Sequence, residues 1–391
     1  MPKSQEKTEL TCPEVLDLTI KTLMEQFDLR VESGQYTQKD IWRVLASASA
    51  QASTIEDTTR KLKHSPCANT VRGYIKEGLL TKTELEDLED KLNQLLIAHL
   101  PPRIRGFHHR IAIDLVFLPY YGKPAKDPNE IRRSKATRGT THFHCYATAY
   151  LIKKDKRVTL ALAYVQADDT LLDVLKRLLA RLERIGVGIR RLYLDRNFYA
   201  VQIIRFLKMQ PFPSVIPARV HGERIRKLLK GRKSYRTSYK VVSPVDGSED
   251  VELWVVCRYS KGKRGLHKVE HLPYVVIGDL SCPIPNVRKE HRGRFGVESS
   301  YRMMNQARAR TSSKDPKYRL LLVGLALALI NIWITLKWLV LGVPRKGGRW
   351  IKHDIFPLSC FRDFIVEAVR AIYGFVNAVQ RPPPLSTSSS T

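Results

Sequence analysis

Residues 288–311 read RKEHRGRFGVESSYRMMNQARART, a strongly basic run with Glu298 in its interior. At helical spacing His291, Arg294, Glu298, Tyr301, Arg302 and Asn305 share one face, because residues three, four or seven apart stack above one another. Taken alone, Glu298 reads as half of a solvated surface ion pair with Arg294 or Arg302. Two acids upstream give it a second meaning.

The first lies in residues 110–118, RIAIDLVFL, which is apolar on both faces and suits a central buried strand, yet carries Asp114 in its middle. An ionised carboxylate there is costly unless it is paired or bound to a metal. The second is Asp195, at the end of the short strand IRRLYLD and just before a helix expected from about residue 198 to 209. Open α/β sheets place ligands at such strand ends, although an isolated Asp there is also a good helix cap. Three carboxylates brought together raise one another's pKa unless a cation neutralises them. Mg²⁺ or Mn²⁺ suits an all-oxygen set. Two such ions, about 4 Å apart, can activate a water or hydroxyl and stabilise the leaving oxygen of a phosphoryl displacement.

The chain around these acids has the charge for such work. Its 391 residues carry 67 Lys+Arg against 38 Asp+Glu, a formal charge of +29, with 43% hydrophobic residues. This is a folded protein with a polyanionic partner rather than a basic tail. Six scattered cysteines form no CxxC pair and read as reduced thiols. The first residues hold no apolar leader, so a cytoplasmic, nucleoid-associated location is expected. Residues 320–343 are apolar enough to resemble a membrane span, but Asn331, Thr335 and Lys337 interrupt them. A buried helix is the preferred reading, with no membrane partner.

In order, residues 1–100 read as helical, with a helix-turn-helix expected over 53–77. Its second helix would offer Asn69, Thr70, Arg72 and Lys76 to a DNA groove, the other reading being an ordinary helical bundle with a polar face. Residues 104–218 switch to strands with one strong amphipathic helix, LLDVLKRLLARLERIG, for which Asp168 and Asp169 are helix-start residues. Residues 219–285 form a β-rich stretch whose first part, 219–240, holds nine Lys/Arg and one acid, Glu223. Arg232 and Lys233 belong to this run, which reads as a phosphate-contact surface in preference to a merely solvated one. Residues 286–343 carry the Glu298 helix and the apolar helix, 344–381 a further helix, and 382–391 the composition of a disordered tail.

AIDLVF with Asp114, LYLDRNFY with Asp195 and GRFGVESSYRMMNQARART with Glu298, in this order and with a strand-rich insertion before the last, resemble the DDE transposases of prokaryotic insertion sequences. The resemblance implies an RNase H-like (retroviral integrase-like) α/β core with a β-rich insertion, preceded by an all-α N-terminal domain. It implies metal ligation by Asp114, Asp195 and Glu298, cleavage at transposon ends and strand transfer into target DNA. The partners implied are double-stranded DNA, both terminal inverted repeats and target, and a second copy in a homodimer or larger synaptic assembly. The Tyr-Arg-Glu-Lys signature of one subgroup maps in part: Arg294 and Glu298 match, His291 stands at the tyrosine position and Asn305 near the lysine. Tyr301 and Arg302 are then substitutes for phosphate contacts. In relatives that cut through a hairpin, an insertion aromatic stacks on a flipped base. Trp254 is the residue here, although its apolar strand favours a core position. Competing readings are a catalytically silent, repressor-like DNA-binding protein on the same fold, another RNase H-like nuclease, and a membrane protein anchored by residues 320–343.

Overall fold

The structure, a computed structural model, describes residues 9–31, 34–101, 104–123, 128–152, 158–261, 267–346, 348–352 and 354–379. The expected tail at 382–391 and the glycine-basic turn near 262–266 lie outside them. The chain opens with helices α1 (Cys12–Gln26), α2 (Gln38–Ala50), α3 (Ile55–Arg60), α4 (Ala68–Ile75) and α5 (Leu85–Ile97). Boundaries follow local chemistry: Thr37 begins α2 in a capping box with Asp40, and Thr54 accepts from the Asp57 amide at the start of α3.

The sheet begins with β1 (His108–Pro119), β2 (Arg132–Thr137), β3 (Thr140–Leu151) and β4 (Thr159–Val165). β2 and β3 are joined through Arg138 and Gly139, both at positive φ, the backbone that a tight hairpin turn demands. After α6 (Leu171–Arg184) come β5 (Gly188–Leu194), α7 (Val201–Lys208) and β6 (Ser214–Pro217). β3 pairs antiparallel with β1 and β4, whereas β5 runs parallel to β1 and β6 parallel to β5. Across this half the order is β4-β3-β1-β5-β6.

A short helix α8 (Glu223–Leu228) leads to β7 (Tyr235–Ser243), β8 (Gly247–Lys261) and β9 (His267–Ile277). The strand-rich insertion is not a separate layer. β9 pairs antiparallel with β6, from Ser214↔Ile277 to Pro217↔Tyr274, so the same sheet continues through β9, β8 and β7 to nine strands. Helices α9 (Ile284–Arg292), α10 (Gly296–Gln306) and α11 (Pro316–Leu339), the hairpin β10 (Val343–Arg345) and β11 (Gly348–Trp350), and α12 (Leu358–Tyr373) complete the chain. The result is the expected mixed α/β architecture around one large mixed sheet.

The apolar helix α11 is buried among protein elements along nearly its whole length. Two of the polar residues that break its run have partners there. Asn331 donates to the carbonyls of Leu96 and Thr159 and accepts from the Thr159 amide, and Lys337 sits 4.7 Å over the Trp333 ring. Asn93 of α5 pairs with both backbone groups of Leu162, and Glu89 accepts from the Tyr164 amide. These side chains close the outer edge of β4, which would otherwise offer unpaired amides. One hydrophobic core therefore runs from Val15 through the sheet to Tyr373. The expected boundary near residue 100 marks a change of secondary structure, while α1, α2 and α5 share their core with α11, α12 and β4.

Candidate active site at the carboxyl edge of the sheet

Asp114 and Asp195 come together through strand register. Parallel pairing of β1 with β5 puts Ile113 opposite Leu194, so the next residue along each chain segment is an aspartate and the two stand side by side, Asp195 at the carboxyl end of β5 and Asp114 midway along β1. Asp114 is buried, accepts from the Leu115 amide through Oδ1, and faces Thr148 across the β1–β3 ladder. Asp195 begins a short 3-10 turn over residues 196–198.

The run that opened the sequence reading folds as two helices rather than one. α9 ends at Arg292, a 3-10 turn covers Gly293–Phe295, and α10 starts at Gly296. The two glycines allow a close approach to the sheet. A Cβ on Gly293 would lie 3.1 Å from the Ile152 side chain, and one on Gly296 would lie 3.2 Å from the Tyr150 ring. This break splits the single face expected from helical spacing. His291, Arg294 and Tyr301 turn inward and are buried, Glu298 is half-exposed, and Arg302 and Asn305 are exposed.

Arg294 is the centre of the arrangement. Its guanidinium donates to Asp114 Oδ2 at 2.5 Å, lies 3.3 Å from Asp195 Oδ1 and 3.9 Å from Glu298 Oε1, and is only 7% exposed. All three expected acids thus converge on one buried cation. Burial pushes the Asp114 carboxyl up to about 6; the Arg294 charge opposes the rise, and Asp195 and Glu298 add to it. The cluster calls for more positive charge than one guanidinium supplies.

Two inward residues hold the strands. His291 Nε2 donates to the Leu194 carbonyl at 3.0 Å, directly before Asp195, and its ring packs against Tyr193 and Tyr274. Burial lowers its pKa to about 4, so it stays neutral. The Tyr301 hydroxyl donates to the Asp114 backbone carbonyl at 2.9 Å and meets Thr148 Oγ1 at 2.7 Å. His291 also lines the cavity beside Asp195, whereas the Tyr301 ring is buried; both brace the backbone beneath the acids.

Other expected contacts lie elsewhere. Trp254 is 1% exposed in the inner strand β8, and the Arg236 guanidinium covers its ring at 4.0 Å. Base stacking needs an open ring face, so the structure overturns that expectation in favour of the core reading. Arg232 and Lys233 are exposed before β7, and their carbonyls accept from Tyr259 and from the Cys257 thiol. α3 and α4 form where the helix-turn-helix was expected. Asn69 and Arg72 are exposed on α4 and Lys76 just beyond its end, Thr70 is half-buried, and Arg72 bonds Asn69 and Glu56. Arg72 and Lys76 face residues 310–315 across a groove, and none of the four joins the acidic cluster. Sequence reasoning missed Thr148, which the residue opposite Asp114 on the neighbouring strand would have signalled only once the pairing was known.

All donors in the cluster are carboxylate oxygens, which suits a hard divalent ion. In the arrangement seen, Arg294 lies among them, and no three Asp, Glu, His or Cys side chains among the described residues already bracket an ion.

No protein-family model and no curated protein sequence matches the chain. Among solved structures it is similar to a piggyBac transposase, determined by cryo-EM as a synaptic complex with hairpin DNA. The TM-score is 0.52 at 12% identity, over 94% of this chain and 78% of that one. The likeness shows a transposase-type fold and lends no weight to an insertion-sequence origin.

Proposed function

We propose that the protein is a DDE-type transposase, which cuts DNA at the ends of an element and joins those ends to target DNA. The observation that carries this reading is the convergence of Asp114, Asp195 and Glu298, far apart in the chain, at the carboxyl edge of a sheet whose fold resembles a transposase. The order β4-β3-β1-β5-β6, three antiparallel strands followed by two parallel ones, supports an RNase H-like core.

Asp114, Asp195 and Glu298 would hold Mg²⁺ or Mn²⁺, which when bound supplies the Lewis acidity that activates a water or a 3′-hydroxyl toward phosphorus. The chain's own residues do the positioning. Tyr301 fixes the backbone of β1 at Asp114 and His291 the end of β5, so both aspartates keep their separation. Glu298 comes from a helix and is half-exposed, so it faces incoming substrate, and Arg294 holds the three acids together. The formal charge of +29 fits a double-stranded DNA partner, and acting on two ends calls for two copies of the chain.

The test is cleavage and strand transfer on DNA carrying the element's ends, with Mg²⁺. Asp114→Asn, Asp195→Asn and Glu298→Gln should each cost at least about a hundredfold in rate. Full activity in any one of them would overturn the assignment. A silent, repressor-like protein would instead bind DNA equally well with all three replaced.

A further inference from the structure

Beside Asp195 the surface is hollow. Two adjoining cavities, of about 630 and 680 Å³, share Arg258, Arg288 and Arg292 and together form a trough between α9 and the strands β8 and β9. Asp195 and Arg196 stand at one end, and Lys289 lines the other. Arg288 and Arg292 are four residues apart on α9, hence on the same face and about 6 Å apart along its axis. Among the described residues, Arg196, Arg288, Lys289 and Arg292 make no ion pair. Arg258 has one, to Glu270 at 3.4 Å, with both side chains about half exposed. A convex basic face lets water and salt screen like charges. Holding them unpaired on the walls of a concavity raises the local potential and favours an anion within it.

We propose that this trough is the track of one phosphodiester strand of the DNA, gripped along α9 by Arg288 and Arg292 and led past Arg196 to Asp195. The assignment rests on the reading of Asp195 as part of a DNA-processing site, and deepens it by naming the path. It moves the main phosphate contact from the basic run at 219–240 to α9 and the adjoining faces of β8 and β9. Because β8 is paired to β9, β9 to β6 and β6 to β5, the strand wall of the trough and the strand that leads to Asp195 belong to one hydrogen-bonded sheet, so a DNA strand lying on that wall has a fixed register against the acids.

The experiment is fluorescence anisotropy of a fluorescein-labelled DNA duplex with the full chain, in EDTA so that contact is read without chemistry, over a range of salt. Arg288→Glu/Arg292→Glu is compared with Lys21→Glu/Arg184→Glu, a charge-matched pair of exposed residues outside the trough. The trough pair should weaken binding at least about tenfold and reduce the salt slope by about two, one unit per lost phosphate contact, while the control pair changes both far less. Arg288→Gln/Arg292→Gln, a milder change, should fall between if the chain remains folded by circular dichroism. Equal weakening by the two reversed pairs, or unchanged binding in folded trough variants, would overturn the track. Loss of binding without any Mg²⁺-dependent cleavage by the unaltered protein would leave the track standing and sink the transposase reading. Cleavage by the unaltered protein with no effect of the trough pair would do the reverse.

Discussion

Arg294 donates to Asp114 at 2.5 Å across 180 residues of chain, and both partners are buried. Removing the cation leaves a buried carboxylate uncompensated, which typically costs about 3 to 5 kcal/mol. Arg294→Met should therefore lower stability by about that amount in urea denaturation. Asp114→Asn should cost less, because Arg294 keeps Asp195 and Glu298. Equal losses would mean that the guanidinium does not serve all three acids.

Asp114 and His291 should tilt stability in opposite directions with pH. The folded state holds a proton on Asp114 up to about 6, whereas the unfolded chain releases it near 4. Asp114 therefore makes stability decline as pH rises through that window and contributes no further change above it. His291 has a folded pKa of about 4 against an unfolded value near 6.5. The stability it contributes is complete above about 6.5 and is lost as pH falls toward 4. In the unaltered protein, without metal, the two partly offset. Denaturation across a pH series should show a steeper rise with pH in Asp114→Asn and a steeper decline in His291→Gln. Parallel profiles for all three proteins would contradict both assignments.

Tyr301 and Thr148 form a single brace under Asp114. Tyr301→Phe should cost about 1 to 3 kcal/mol by stranding buried acceptors. Combining it with Thr148→Val should cost less than the sum of the single changes, because the two hydroxyls share one bond. Additive losses in a double-mutant cycle would show that they act separately.

Gly296 lets α10 rest on Tyr150. Gly296→Ala adds one methyl that Tyr150 must yield to by a few tenths of an ångström. Stability should fall by no more than about 1 kcal/mol. Cleavage should fall about tenfold or more, since small displacements of a reacting group are costly. A rate unchanged within twofold would mean that the position of Glu298 tolerates the shift.

The acids were legible because each breaks a local rule. Asp114 sits inside an apolar strand, Asp195 ends one, and Glu298 lies in a basic helical run. The role of Arg294 was half legible: its spacing to Glu298 is helical and local, but its bond to Asp114 depends on how two segments 180 residues apart meet. His291, Tyr301, Arg302 and Asn305 were placed on one face by an uninterrupted helical count. The 3-10 turn at Gly293–Phe295 divides them, and the close approach of Gly293 and Gly296 to β3 is a tertiary demand that no periodicity reports. The strands of the insertion could be read as strands, whereas the β6–β9 pairing that fuses them to the main sheet could not. Trp254 shows the opposite case, where the apolar pattern of its strand outweighed a role suggested by resemblance.

The packing of α1 against α12 bears on how the chain is made. At about 5 to 20 residues per second, the first helix leaves the ribosome long before its partner exists. The N-terminal helices then spend on the order of tens of seconds with apolar faces uncovered. Until its last helix arrives, the newborn chain carries the exposed apolar surface that promotes aggregation of partly folded proteins.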